Sequence, residues 1–252
     1  VNSGTMSNFF PLLGFPTTSP DLSGDSMKIN YITPSFNGFT LGLSYTPSVA
    51  GNSVNTGPID RDEAGSLTDV WGISASYNQS LGTVDLGLNA FYQQGTQDNN
   101  TPEITTGPGT GPGADGIFGN ADDVTIAATT APDTDPSNWG VGANLGFDAF
   151  TVGMNYAESD ADTGANDGEQ VWAVGATYNT GVWTLGVDAI QHNYDQAGGD
   201  IEEMAYRIGA SRNLGPGVAW DIFALSYEGD DKAAPANDVD GQLIGTAITL
   251  SF

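Results

Sequence analysis

The sequence predicts an all-β protein, a transmembrane antiparallel up-and-down β-barrel, and three observations carry that prediction. Eleven segments alternate residue type with a period of two, the repeat of a strand that shows different faces to different surroundings. Within the segments one parity is apolar and aromatic, whereas the other holds glycine, serine, threonine and asparagine. The last segment runs Gln242-Leu243-Ile244-Gly245-Thr246-Ala247-Ile248-Thr249-Leu250-Ser251-Phe252 and stops on an aromatic residue.

The elements follow in order. Segments 26–33 and 38–46 flank a short turn at 34–37, and the second sets Leu41, Leu43 and Tyr45 against Gly42. Segments 69–78 and 82–94, joined by 79–81, place Trp71, Ile73 and Tyr77, then Val84, Leu86 and Leu88, opposite Gly72 and Gly87. Segment 138–147 carries Trp139, Val141, Ala143 and Leu145 against Gly140 and Gly142; Asp148 turns the chain into 149–157, where Gly153 holds the small parity. Segments 169–179 and 181–192 meet at Thr180, with Trp172, Val174 and Tyr178, then Trp183, Leu185 and Val187, opposed by Gly175 and Gly186. Segments 201–213 and 217–228 meet at Gly215-Pro216; in the second, Phe223 and Leu225 share parity with Asp221, so its faces stay ambiguous. Segment 241–252 closes the series with Ile244, Ile248, Leu250 and Phe252 against Gly245.

A soluble sandwich also alternates, so the content of each face decides. Sandwiches pack large side chains inward and put charge outward, but would not ordinarily leave the second face so rich in glycine. Here the interior charges Lys28, Asp85, Asp188, Arg207 and Asp221 fall on the small, polar parity; Glu202 and Arg212 depart from it only at segment ends. An apolar face without charge is what lipid demands, because Lys or Arg at the bilayer midplane costs about 2–4 kcal/mol. Tyr45, Trp71, Trp139, Tyr156, Trp172, Trp183 and Tyr227 lie near segment ends, as an interfacial girdle requires.

Composition narrows the partners. The 252 residues include 31 acids against five bases, a net charge of −26, with 35 glycines and no cysteine. Such a chain does not bind nucleic acid through its phosphates, and it attracts cations. Without cysteine there is no disulfide framework and no thiolate metal site. No apolar run reaches the roughly 20 residues of a membrane helix, an absence that says nothing against membrane strands.

Connections alternate in length. Long polar loops at 47–68, 95–137, 158–168, 193–200 and 229–240 separate the short turns, which in bacterial barrels are periplasmic while the long loops are extracellular. Phe252 then ends on the periplasmic side and the segment beginning near Asp25 descends from outside. Single-chain barrels have an even strand number, so either an odd number of strands precedes this sequence, or one further strand within 95–137 completes a barrel of about 12. In the first case the last strand is an edge that needs a partner.

Residues 26–46, Ser-Met-Lys-Ile-Asn-Tyr-Ile-Thr-Pro-Ser-Phe-Asn-Gly-Phe-Thr-Leu-Gly-Leu-Ser-Tyr-Thr, resemble the strand, turn and strand that follow the constriction loop in general porins of Gram-negative bacteria, and the terminal Phe252 is similar to that family's signature. The likeness extends as a pattern over residues 1–252; Thr33-Pro34 before Ser35-Phe36 is a small departure. The resemblance implies a single barrel domain in the bacterial outer membrane, with eleven strands present of 16, a homotrimeric assembly and passive diffusion of small hydrophilic solutes. It makes 1–24 the remainder of the constriction loop, with Phe9, Phe10, Leu12, Leu13 and Phe15 against the inner wall, Asp21 and Asp25 at the eyelet, and Lys28 at a basic lumen position. Asp85, Asp188, Arg207 and Asp221 then line the pore. Because acids outnumber bases among them, the expectation is cation preference.

The longest loop holds Gly113-Ala114-Asp115-Gly116-Ile117-Phe118-Gly119-Asn120-Ala121-Asp122-Asp123-Val124. Calcium takes six to eight oxygens from carboxylates, amides and backbone carbonyls. The run resembles Asp-Gly-x-Phe-Gly-x-x-Asp-Asp stretches of calcium-binding bacterial surface proteins, which makes Asp115, Asn120, Asp122 and Asp123 candidate ligands; no cofactor is otherwise required. The alternative is an ordinary solvated loop. A rival function, a calcium-binding translocator or surface-adhesion barrel, rests on the same loop. An enzyme is not expected: His192 is the only histidine and has no cysteine or nucleophile elbow beside it. Asp85 and Asp188 suit a glycosidase pair only if distant strands meet.

Overall fold

A computed structural model describes residues 22–23, 26–49, 67–97, 133–160, 168–195, 198–232, 234–235 and 238–250. Eleven strands form one sheet: β1 (Ile29–Ile32), β2 (Phe39–Ser48), β3 (Leu67–Leu81), β4 (Val84–Gln97), β5 (Ser137–Phe147), β6 (Phe150–Asp160), β7 (Gly168–Asn179), β8 (Trp183–Tyr194), β9 (Ile201–Gly215), β10 (Val218–Asp231) and β11 (Val239–Leu250). Each pairs antiparallel with its sequence neighbour, so the order is β1 to β11 without a crossover. The sheet's edges are β1 and β11, and no pairing joins them among the described residues.

The eleven predicted segments are these eleven strands, with two kinds of boundary change. β1 is only four residues long. β3, β4, β9 and β10 instead outrun their apolar stretches and reach 14 or 15 residues. Backbone pairing continues wherever a neighbour offers its amides, whereas apolar alternation reports only the stretch that meets an apolar medium.

Turn chemistry sets the register. Asn37 and Gly38 both have positive φ, 50° and 85°, the pair of conformations that a two-residue type I′ hairpin needs. Phe36 and Phe39 exchange backbone hydrogen bonds across it at 2.8 and 2.9 Å. A Cβ on Gly38 would overlap the Asn78 carbonyl, so only glycine fits there. In the two-residue bend between β5 and β6 Asp148 alone has positive φ, 52°. Near the long-loop end Asp69, φ 50°, lies in a bulge between Thr68 and Trp71, and its carboxylate accepts the Tyr45 hydroxyl at 2.5 Å.

Pairing fixes the two faces. Tyr45 opposes Trp71, Tyr92 opposes Trp139, Val141 opposes Tyr156, and Tyr156 opposes Trp172. This outer face leaves large apolar side chains open: Val141 is 46% exposed, Ile208 60% and Met154 64%. An apolar surface continuous over this many strands is far larger than soluble monomers tolerate, and lipid is the solvent that suits it. Val70, Ala157, Val171, Ile190, Ala205 and Leu225, the buried apolar residues, all lie on the inner face in the half toward the long loops.

Glycines on the inner face make room for neighbours. A Cβ on Gly140 would come 2.5 Å from the Phe91 ring, and one on Gly245 would overlap the Phe223 ring. Phe91 and Phe223 thus lie over glycine on the next strand, in space that a larger residue there would fill.

Candidate functional site: the inner wall

The ambiguous strand β10 is resolved by its partners. Asp221 opposes Ser211, Phe223 opposes Gly209 and Leu225 opposes Arg207, so all three face inward with the polar parity. Tyr227 goes with them, opposite Ala205, and donates its hydroxyl to Glu203 Oε1 at 2.6 Å. It therefore belongs to the inner wall, and its expected place in the girdle is corrected. The outward aromatic of β10 is Trp220, at the short-turn end, where its ring centroid lies 5.7 Å from that of Trp183.

The girdle itself has a polar rim. At the long-loop end Trp71 and Tyr92 pack at 5.3 Å, and Trp139 and Tyr156 at 5.4 Å. The two tyrosine hydroxyls reach toward the loop side, Tyr92 donating to Gln94 at 3.0 Å and Tyr156 to Glu158 at 2.8 Å, and Trp172 Nε1 donates to its cross-strand partner Gln191 at 2.7 Å. An aromatic with an apolar body and a wet tip sits at a membrane interface. At the other end Phe147, Phe150 and Tyr178 form a continuous stack, with centroids 5.4 and 4.5 Å apart. Between the two rows β5 runs from Trp139 to Phe147, close to the 9–11 residues of a membrane-crossing strand.

Of the residues predicted to line the pore, the structure brings two together. Asp188 on β8 and Arg207 on β9 are direct cross-strand partners. Arg207 Nε donates to Asp188 Oδ2 at 2.5 Å, and Nη2 binds the same oxygen. Their side chains are 9% and 8% exposed, so each charge is neutralised within the wall. Asp85 lies on the inner face by the β3–β4 turn, accepting from Ser80 Oγ at 2.5 Å. Asp221 lies by the short turns on β10 and accepts from Thr249 Oγ1 at 2.9 Å. Lys28 precedes β1 and donates to Ser23 Oγ at 2.5 Å. Asp21 and Asp25, and the candidate calcium ligands Asp115, Asn120, Asp122 and Asp123, lie outside the described residues.

Sequence reading missed Glu169 and Glu203. Both share the inward face, near the long loops, with His192 between them: Nε2 lies 3.6 Å from Glu169 Oε2 and Nδ1 3.6 Å from Glu203 Oε2. The Tyr194 ring is 3.7 Å from the imidazole, centroid to centroid. Glu203 was legible in principle, since it keeps the parity of Ala205 and Arg207 beyond the apolar stretch. On the described inner strand faces the acids are thus Asp85, Glu169, Asp188, Glu203, Asp221 and Asp231, and Arg207 is the one lysine or arginine. Among the described residues no group of three or more histidines and acids is arranged to hold a metal ion.

One contact ties the segment before β1 to this wall. The Leu22 backbone amide donates to Gln93 Oε1, 71 residues away, at 3.3 Å. Gln93 opposes Gly72 and Asn138 and so faces inward. Ser23 and Ser26 beside it are buried, at 3% and 9% exposure.

A sheet of antiparallel membrane-length strands, apolar and aromatic outside and polar inside, defines a transmembrane β-barrel protein. The family profile of Gram-negative porins matches residues 1–232, and the chain belongs to that family; its place is the bacterial outer membrane. Among solved structures the chain is similar to OprB of Pseudomonas putida, with 11% identity and a TM-score of 0.59 over 89% of this chain and 58% of that one. It is also similar to OccK8 (OprE) of Pseudomonas aeruginosa, with 12% identity and a TM-score of 0.53 over 91% and 60%. At these identities the likeness is one of fold, and the chain spans about three fifths of the length of each. No curated protein sequence matches it.

Proposed function

We propose that this chain forms the wall of a water-filled channel that passes small hydrophilic solutes and ions by passive diffusion, with a preference for cations. Family membership supports a channel rather than an enzyme. The observation that carries the selectivity is the charge left on the inner face. Asp188 and Arg207 cancel, whereas Asp85, Glu169, Glu203 and Asp221 face no lysine or arginine on the inner strand faces described, and Glu169 and Glu203 have only the imidazole of His192 between them. Rings of acidic side chains favour cations in a pore, and the attraction strengthens as salt is diluted. Water reaches such groups only if the lumen is open, which glycine-rich walls permit.

Leu22 bound to Gln93 supports a constriction loop laid against the inner wall, and the family resemblance supports a homotrimer. The selectivity test uses planar bilayers with a KCl gradient across the membrane. The wild type is expected to reverse at a potential of cation-preferring sign, and Glu169→Gln with Glu203→Gln to move it toward zero. An unmoved reversal potential in the double variant would assign the selectivity elsewhere.

The acidic loop at 113–124 carries a separate proposal, calcium held by Asp115, Asn120, Asp122 and Asp123. Calorimetric titration of the protein with calcium is expected to give heat that Asp122→Asn with Asp123→Asn removes; a titration without heat would dispose of it.

A further inference from the structure

The outer face is not uniform. Across β6 to β11 it is indented by an apolar groove of about 760 Å³. Ala210 and Ala224 form part of its floor, while Tyr178, Leu185, Ile208 and Ile222 are among the larger side chains around it. The register explains the shape. Leu185 opposes Ala210, and Ala210 opposes Ile222, so a methyl group lies between two branched side chains and leaves a trough.

One step nearer the short turns, the same three strands present Trp183, Arg212 and Trp220 in a row, with Arg212 opposite both tryptophans. The guanidinium lies 5.6 Å from the Trp183 ring centroid. Arg212 is the one basic residue on the outer face of the described strands, and no carboxylate forms an ion pair with it among the described residues. A cation at the end of an apolar trough, at the level where the aromatic girdle marks the membrane boundary, matches one ligand chemistry. A phosphate diester binds the guanidinium, with its planar fork of N–H donors, and an acyl chain from the same molecule fills the trough.

We propose that the trough and Arg212 together form a binding site for one anionic glycerophospholipid of the membrane leaflet at the short-turn side. The headgroup phosphate lies on Arg212 between Trp183 and Trp220, and one acyl chain runs over Ala210 and Ala224. The site depends on this face meeting lipid, which the fold establishes, and not on how the channel selects its ions.

The test is native mass spectrometry of the purified protein in neutral detergent, titrated with phosphatidylglycerol. The wild type is expected to retain one lipid at concentrations where Arg212→Gln binds about tenfold less or weaker still, as loss of a charge-assisted hydrogen bond implies. Arg212→Lys should restore part of the binding, and Ala210→Phe, which fills the trough and leaves the cation, should reduce it. Bilayer conductance serves as the folding control, because none of these side chains faces the lumen. Equal lipid retention by all variants would overturn the proposal. So would binding of glycerol phosphate as tight as that of the lipid, since that describes an anion site without an acyl chain. Loss of an oligomer from Ala210→Phe with no loss of lipid would also overturn it, by assigning the trough to a second copy of the chain.

Discussion

At the scale of the residue, the most consequential contact is the one between Asp188 and Arg207. Two charges that are each nine-tenths buried hold one another because every N–H of the fork that reaches the carboxylate offsets the cost of leaving water. Removing one partner strands the other. Arg207→Ala is expected to destabilise the folded protein by about 3 kcal/mol, while Arg207→Gln with Asp188→Asn should recover most of that loss. Urea unfolding followed by tryptophan fluorescence measures both. Equal unfolding midpoints for wild type and Arg207→Ala would mean that water in the lumen already satisfies Asp188.

At the scale of the element, the strand is a device for sorting side chains between two solvents, and sequence parity displayed that sorting for nearly the whole sheet. Trp71, Trp139 and Trp172 fall on the outer face as their parity requires, and Asp85, Asp188, Arg207 and Asp221 fall on the inner one, while Lys28 precedes β1. Reading failed where parity was not tied to an apolar stretch. Glu169 and Glu203 lie on strand ends that run above the membrane band, where alternation loses its apolar signal. Residue type and position place Tyr227 in the girdle, and only its pairing with Ala205 shows that it points inward. The pairing of Asp188 with Arg207 was hidden for another reason: a cross-strand partner depends on register, which turn lengths and bulges set. Parity also makes a quantitative claim. Val141→Lys, on the outer face, is expected to cost about 2–4 kcal/mol, and Ser74→Lys, on the inner face, less than about 1 kcal/mol. Folding titrations into lipid vesicles compare the two, and similar costs would contradict the assignment of faces.

At the scale of the whole molecule, the uncompensated charge and the lipid-facing surface are two consequences of one alternation. Within the net charge of −26, the charges of the described strands lie on the inner face or at strand ends, leaving the outer face between the aromatic rows free of acids and bases. A soluble protein with this composition would have to place its apolar parity in a core, and the structure instead leaves Met154 and Ile208 mostly uncovered. The family, the topology and the two faces were therefore legible from the sequence. Which acids remain uncancelled was not, because that depends on which strands stand side by side. The measurement that bears most directly on an acidic, water-filled lumen is the current through single protein insertions in a planar bilayer under a KCl gradient. Stepwise open conductance with a reversal potential of cation-preferring sign is the expected result, and a closed barrel or an anion-preferring one would contradict it.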